Sequence, residues 1–380
     1  MRVARVDAPI VWESRLLGIV AATLVVFGVA AVYGASSIWA VQSGHPGSYF
    51  ALRQLMGAVL GVALLLVAAR VDYHVWQRYA WPLLGVVALL LIVPLLPFTR
   101  AIAPEVNGAR RWISIGPVTL QPSEFAKLAI VAWTAMLAVK KGAVLREFKR
   151  GLLPFVVILF PVTLLILLEP DLSTAAVVVL LAGLVLFAAG ARIGHFLVLG
   201  VVMLPLLWHE IVSAQYRLAR MVSFLSAGGD VAESSWQIQQ SLIGIGAGRV
   251  LGVGFGEGLQ KLGYLPYAYS DFIFSTIGEE WGFLGVSLVI ALLGLYLWLG
   301  FRVARTAADG FGQLLATGLT AMIGIAAILH VGVTLAVVPT TGIPLPFISY
   351  GRSSLLISLV ATGIIINIAD RRPAMVRRRR

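Results

Sequence analysis

The chain contains no cysteine. That excludes a disulfide framework, a thiol nucleophile and a thiolate-held metal. Charge is also scarce: Asp, Glu, Lys and Arg make up 12% of residues, against roughly 25% in soluble proteins. A conventional water-facing exterior is therefore excluded. The five histidines, His45, His74, His195, His209 and His330, show no ligand spacing, which argues against a metal held by histidine alone. Also missing are the ten-residue alternation of a membrane barrel and the glycine spacings GxGxxG and GxxxxGKS/T of nucleotide sites.

What remains is apolar sequence, 59% of the chain, in runs close to the roughly 20 residues that a membrane-spanning helix needs. The fold class expected is an all-α integral membrane protein, residues 1–380 forming a single polytopic membrane domain. Spans are expected near 16–41, 53–69, 79–98, 119–138, 152–168, 172–190, 194–212, 271–300, 311–338 and 350–369. The first run is longer than the roughly 7–15 apolar residues of a signal peptide, so an uncleaved anchor is expected. With the N-terminus inside, the N-terminal segment, the short cytoplasmic loops and the basic tail 371–380 carry 19 of the 29 Lys and Arg residues, as the positive-inside rule requires. The net charge of +12 thus reflects topology; a nucleic-acid partner would need a basic face on a folded domain. Both termini are expected in the cytoplasm, with a long extracytoplasmic loop, 213–270, between the seventh and eighth spans. Loops of that length are usually functional, and short helices lying on or dipping into the membrane are expected there.

Asp271 stands where a polar, aromatic stretch, LGYLPYAYSDF, runs into the eighth span. An acid at the edge of hydrocarbon is a functional candidate by default, and helix capping is the competing explanation. The glycines from Gly244 to Gly258 suit close packing or a re-entrant turn better than a phosphate loop. In NGARRWISIGPVTLQPSEFAKL, residues 107–128, Arg110 and Arg111 beside Trp112 fit either a phosphate-bearing head group or interfacial anchoring. Glu124 and Lys127 lie on one helix face, able to pair or to line a cavity. In EPDLSTA, capping accounts for Asp171. Below Asp271, Glu279 is placed toward the same cavity and Glu280 toward another helix. Three prolines in VVPTTGIPLPFISYGRSS, residues 337–354, exclude a plain hairpin. Together these features suggest an outward cleft with a candidate base, cations and a greasy surround, suited to a lipid-linked phosphate.

The strings NGARRWISIGPVTLQPSEFAKL, EPDLSTA, WQIQQSLIGIGAG with GVGFGEGLQKLGYLP, SDFIFSTIGEEWGFLG and GIPLPFISYGRSS resemble, in order, the motifs of the SEDS family (shape, elongation, division and sporulation). NGARRWI, WQIQQSLI and LPFISYG resemble its division branch more than its elongation branch. The resemblance implies a ten-helix peptidoglycan glycosyltransferase of the bacterial inner membrane that polymerises lipid II at its extracytoplasmic face. Its implied partners are a class B penicillin-binding protein transpeptidase, other divisome proteins and membrane lipid, with no nucleic acid. It implies Asp271 as the general base. The candidate substrate-binding residues are Arg110, Arg111, Trp112, Glu124, Lys127, Arg217, Arg220, Glu279, Ser349 and Arg352. No organic cofactor is implied, and a divalent cation (Mg or Mn) is left open. Tyr267 and Ser270 stand where the family usually has an acid and a threonine, and Arg352 where it has a glycine. An elongation polymerase of the same family, a lipid II flippase and a non-catalytic scaffold for a transpeptidase remain alternatives.

Overall fold

Hydrocarbon offers a backbone no hydrogen-bond partners, so apolar sequence of this length has to satisfy its amides internally, as helix. The structure, a computed structural model, describes residues 12–106, 108–116, 118–213, 218, 221–222 and 233–372. Eleven main helices follow in order: α1 (Trp12–Gln42), α2 (Tyr49–Arg70), α3 (Ala80–Ile92), α4 (Pro122–Lys141), α5 (Leu153–Leu168), α6 (Leu172–Ala188), α7 (Ile193–Ser213), α8 (Glu233–Ala247), α9 (Ile273–Arg305), α10 (Gly310–Thr334) and α11 (Arg352–Asp370). Among the described residues, eight helices are long and apolar enough to cross a membrane, and the shorter apolar segments Ala80–Leu95 and Leu172–Ala188 complete the ten expected spans. Among the main helices described, the one beyond these ten is α8, inside the long 213–270 segment.

The expected boundaries shift where local chemistry intervenes. The fourth span begins at Pro122, not 119, because Ile113–Ile115 (β1) and Val118–Leu120 (β2) pair antiparallel as a hairpin. Pro122 sits in the first turn of α4, where its missing N–H costs nothing. α9 begins at Ile273 and α11 at Arg352, which leaves Asp271 and Tyr350 in turns.

The helices most enclosed by others are α10 and α11. α2 and α11 approach closely because both present glycine: a Cβ on Gly61 would lie 2.4 Å from a Leu359 methyl, and one on Gly363 2.4 Å from the Leu65 carbonyl. Small residues at such a seam let backbones meet where no hydrophobic force separates lipid from protein. Tyr296 and Thr362 hydrogen-bond at 2.9 Å between α9 and α11. At the end of the bundle away from Asp271, Glu13 receives Arg302 at 2.9 Å and Arg372 at 3.5 Å.

α9 is broken. Gly282 has φ +63 and ψ −161, a conformation that suits glycine. The segment 249–254 fills the break: Val253 and Gly254 donate amides to the carbonyls of Glu279 and Glu280, while Phe283 and Leu284 donate to Arg249 and Val250. These bonds satisfy groups that a continuous helix would have paired internally. The glycine-rich loop is therefore a packing element reaching down α9, about 10 Å from its start at 1.5 Å per residue. A Cβ on Gly248 would lie 1.8 Å from the Gly278 carbonyl.

Candidate active site

Asp271 is presented by a tight turn. Tyr267 adopts φ +56, and its carbonyl accepts the amides of Ser270 and Asp271, each at 3.0 Å. The N-cap of α9 is Phe272, so Asp271 precedes the capping position. Its side chain is half-buried, and a Cβ on Gly342 would lie 3.8 Å from its Oδ2.

The 343–351 segment braces this turn. It folds inward against α1, where a Cβ on Gly28 would lie 2.6 Å from Ile348 Cα, and Leu345, Phe347, Ile348 and Ser349 are buried. Ser349 Oγ donates to the Ser270 carbonyl at 2.7 Å and accepts the Leu345 amide at 2.8 Å. Tyr350 donates its amide to the Tyr269 carbonyl at 3.0 Å. Gln54 of α2, fully buried, donates to the Ser349 carbonyl at 3.0 Å and accepts the Gly351 amide at 3.4 Å. Ser349 is thus a staple between the two turns.

Around them stands an aromatic and cationic group that the sequence reading missed. Phe50 lies 4.8 Å from Tyr269 and 5.2 Å from Tyr350, and the two tyrosines are 5.6 Å apart, centroid to centroid. Arg53 lies 4.4 Å over Tyr49 and hydrogen-bonds Tyr350. Burial, then the charges of Tyr350, Tyr267 and Asp271, push the Tyr269 phenol up to about 12. Burial likewise raises Tyr350, against the opposing charges of Arg352 and Arg53. Both tyrosines therefore present neutral O–H donors at pH 7. Arg53 was legible in principle as an ionisable residue opening an apolar run.

The remaining candidates occupy distinct places. Arg352 donates to Thr119 Oγ1 at 2.5 Å, tying the hairpin to the start of α11. Gln121 donates its amide to Ser353 Oγ at 2.9 Å, which sets α4 beside that helix start. Glu124 and Lys127 form a buried ion pair at 2.7 Å. Arg110 and Arg111, expected to meet phosphate, hold backbone instead: Arg110 donates to the carbonyls of Ala103 and Leu96 and to Thr99 Oγ1. Arg111 donates to the carbonyls of Glu169 and Pro170 at 2.8 and 2.5 Å. Trp112 is half-buried between these arginines and β1 in sequence. Glu279, placed toward the cavity by helical spacing, is closed off from it, because its carboxylate accepts the Leu259 amide at 2.8 Å. Glu280 pairs with Lys261 at 2.8 Å inside the same docked loop. Asp171 does cap α6, accepting the Thr174 amide at 3.1 Å. Arg217 and Arg220 lie outside the described residues. Among the described residues, no three Asp, Glu or His side chains gather as a metal ligand set.

Comparison with known proteins gives one consistent result. The family model for the cell cycle proteins FtsW, RodA and SpoVE matches residues 14–373. A probable peptidoglycan glycosyltransferase FtsW of Trichlorobacter lovleyi is 43% identical over 93% of this chain and 92% of its own length. Stage V sporulation protein E of Bacillus subtilis is 39% identical over 93% of this chain and 96% of its own. Among solved structures, a chain from a peptidoglycan synthase complex, studied for its coordination of polymerization and crosslinking, superposes with a TM-score of 0.77 at 29% identity, covering 96% of this chain and 98% of that one. The rod shape determining protein RodA of Thermus thermophilus superposes with a TM-score of 0.67 at 29% identity, covering 94% and 96%.

Proposed function

We propose, from the premise that this chain belongs to the FtsW, RodA and SpoVE family of cell cycle proteins, that it is a peptidoglycan glycosyltransferase polymerising lipid II during septal cell-wall synthesis. The observation that carries this reading is the setting of Asp271, an acid on a braced turn beside an aromatic wall and two arginines, where sugar rings, a diphosphate and a proton acceptor would all find complementary groups.

In the proposed reaction an Asp271 oxygen takes the proton of an acceptor sugar hydroxyl as the hydroxyl oxygen attacks the anomeric carbon of a second lipid-linked disaccharide. The bond from that carbon to the diphosphate breaks with inversion, and undecaprenyl diphosphate leaves with the electron pair. Arg53 and Arg352, which flank Tyr350 electrostatically, stabilise the charge growing on the leaving group. Tyr269 and Tyr350 donate to sugar or phosphate oxygens. Arg110 and Arg111 serve by holding the walls, and the Glu124–Lys127 pair keeps polar character inside the bundle below them. The short basic loops collect at the far end, which the positive-inside rule makes cytoplasmic. The chain is thus a multi-pass protein of the bacterial inner membrane with its site facing outward, working with a class B penicillin-binding protein that crosslinks its product.

The test is polymer formation from labelled lipid II by the full-length protein with its transpeptidase. Asp271→Ala and Asp271→Asn are expected to reduce polymer at least about a hundredfold, and Arg53→Ala about tenfold. Wild-type polymerisation by Asp271→Ala would overturn the assignment. Movement of lipid between leaflets without polymer would make the protein a transporter instead.

A further inference from the structure

A groove of about 650 Å³ opens at the end of the bundle away from Asp271, between α3, α4 and α5. Its size falls within the roughly 300–1,000 Å³ of small-molecule sites. The rim and the wall differ in chemistry. Lys140 and Lys141, from the last turn of α4, and Lys149, from the segment before α5, supply three cations to the lining, which contains no acidic side chain. Lys141 donates to the Arg150 carbonyl at 2.7 Å, which fixes one N–H and keeps its ammonium at the rim, with further donors available. Deeper in, the wall is apolar: Leu137 on α4 faces Val157 and Ile158 on α5. From Leu153 to Ile158 the α5 wall runs about 7 Å along the helix at 1.5 Å per residue.

Two tryptophans complete it. Trp81, half exposed, stands edge-on to Trp133 at 5.5 Å. Trp133 is fully buried, and its indole N–H finds no acceptor among the described residues. Tryptophan beside a cationic rim marks the level where hydrocarbon gives way to head groups.

We propose that this groove binds an anionic diacyl phospholipid, with its phosphate among Lys140, Lys141 and Lys149 and an acyl chain along Leu137, Val157 and Ile158. A free phosphate would match the rim but leave the apolar wall uncovered. A zwitterionic lipid would cover the wall but bring no net charge to three lysines. Only a ligand that is both anionic and long-chained uses both surfaces. The site is separate from the Asp271 turn, and the proposal does not depend on the reaction assigned there.

The test uses the full-length protein, purified and delipidated in detergent, then exposed to equal concentrations of phosphatidylglycerol and phosphatidylcholine and analysed by native mass spectrometry. The wild type is expected to retain phosphatidylglycerol at least about tenfold better, from the attraction of several near-surface lysines to anionic lipid. The triple variant Lys140→Gln, Lys141→Gln, Lys149→Gln is expected to lose that preference, and the double variant Arg192→Gln, Arg305→Gln to keep it. Equal retention of both lipids by the wild type, or equal losses in both variants, would overturn the proposal. A photoactivatable phosphatidylglycerol bound to the wild type gives an answer independent of variant folding. Crosslinks concentrated in peptides spanning 133–158 support the site, and crosslinks spread evenly over the lipid-facing helices refute it.

Discussion

Glu169 shows how far burial can move a single group. It has no exposed surface, and neither carboxylate oxygen has a hydrogen-bond partner among the described residues. Burial, then the nearby charge of Asp171, push its acid up to about 9, against the pull of Arg111. Between the ordinary 4.5 and about 9 the folded protein holds a proton that the unfolded chain has released. This contribution is therefore fully present below 4.5 and is lost as pH rises through the folded value. Glu169→Gln, neutral at every pH, is expected to melt above the wild type at pH 8 and to show a shallower decline toward pH 9. Superimposable melting-versus-pH curves in detergent would dismiss the effect. At this scale the sequence was partly legible. Asp271, Glu124 and Lys127 stand out because charge is conspicuous in apolar surroundings. Tyr49, Phe50, Tyr269 and Tyr350 do not, because interfacial aromatics have an ordinary anchoring explanation and only tertiary structure brings positions 50, 269 and 350 together.

Among the elements, the broken α9 and the loop docked in it depend on atoms that are absent. Gly252 has φ +82, and a Cβ there would lie 2.2 Å from the Glu280 carbonyl. Gly252→Ala is expected to lower stability by on the order of 2 kcal/mol or more, through steric overlap and a disfavoured backbone. Gly246→Ala is its control: it lies in α8 with nothing within 4 Å of an added Cβ, and alanine favours helix. It is expected to be neutral or slightly stabilising. Melting temperatures of the two variants, measured side by side in detergent, decide the point. The sequence showed that these glycines lack phosphate-loop spacing, and so pointed to packing. It did not show the partner, because backbone-to-backbone bonds leave no side-chain signature and Gly282 reads as a tolerated helical glycine. The hairpin was legible but unread. ISIGPVTL alternates apolar and polar residues around a Gly-Pro pair, yet apolar content drew Thr119 and Leu120 into the following span.

Across the whole molecule, the count and order of spans followed from hydropathy because the bilayer allows few alternatives, whereas the inward fold of 343–349 did not, since prolines show only that a helix is broken. Three distant parts of the chain meet at Glu13, which is buried and binds Arg302 and Arg372. Glu13→Ala is expected to lower stability by on the order of 1–3 kcal/mol. Arg302→Ala should cost less, because that side chain is 47% exposed and water already screens it. Thermal melts of both variants would show the ranking, and a larger loss for Arg302→Ala would reverse this account. The same contact bears on biosynthesis. Glu13 leaves the ribosome hundreds of residues before either arginine that neutralises it, so the emerging protein carries an acid at the foot of its first helix through most of translation. A chain arrested within α11 would never supply Arg372, and Glu13 would then be left with Arg302 alone of these two cations.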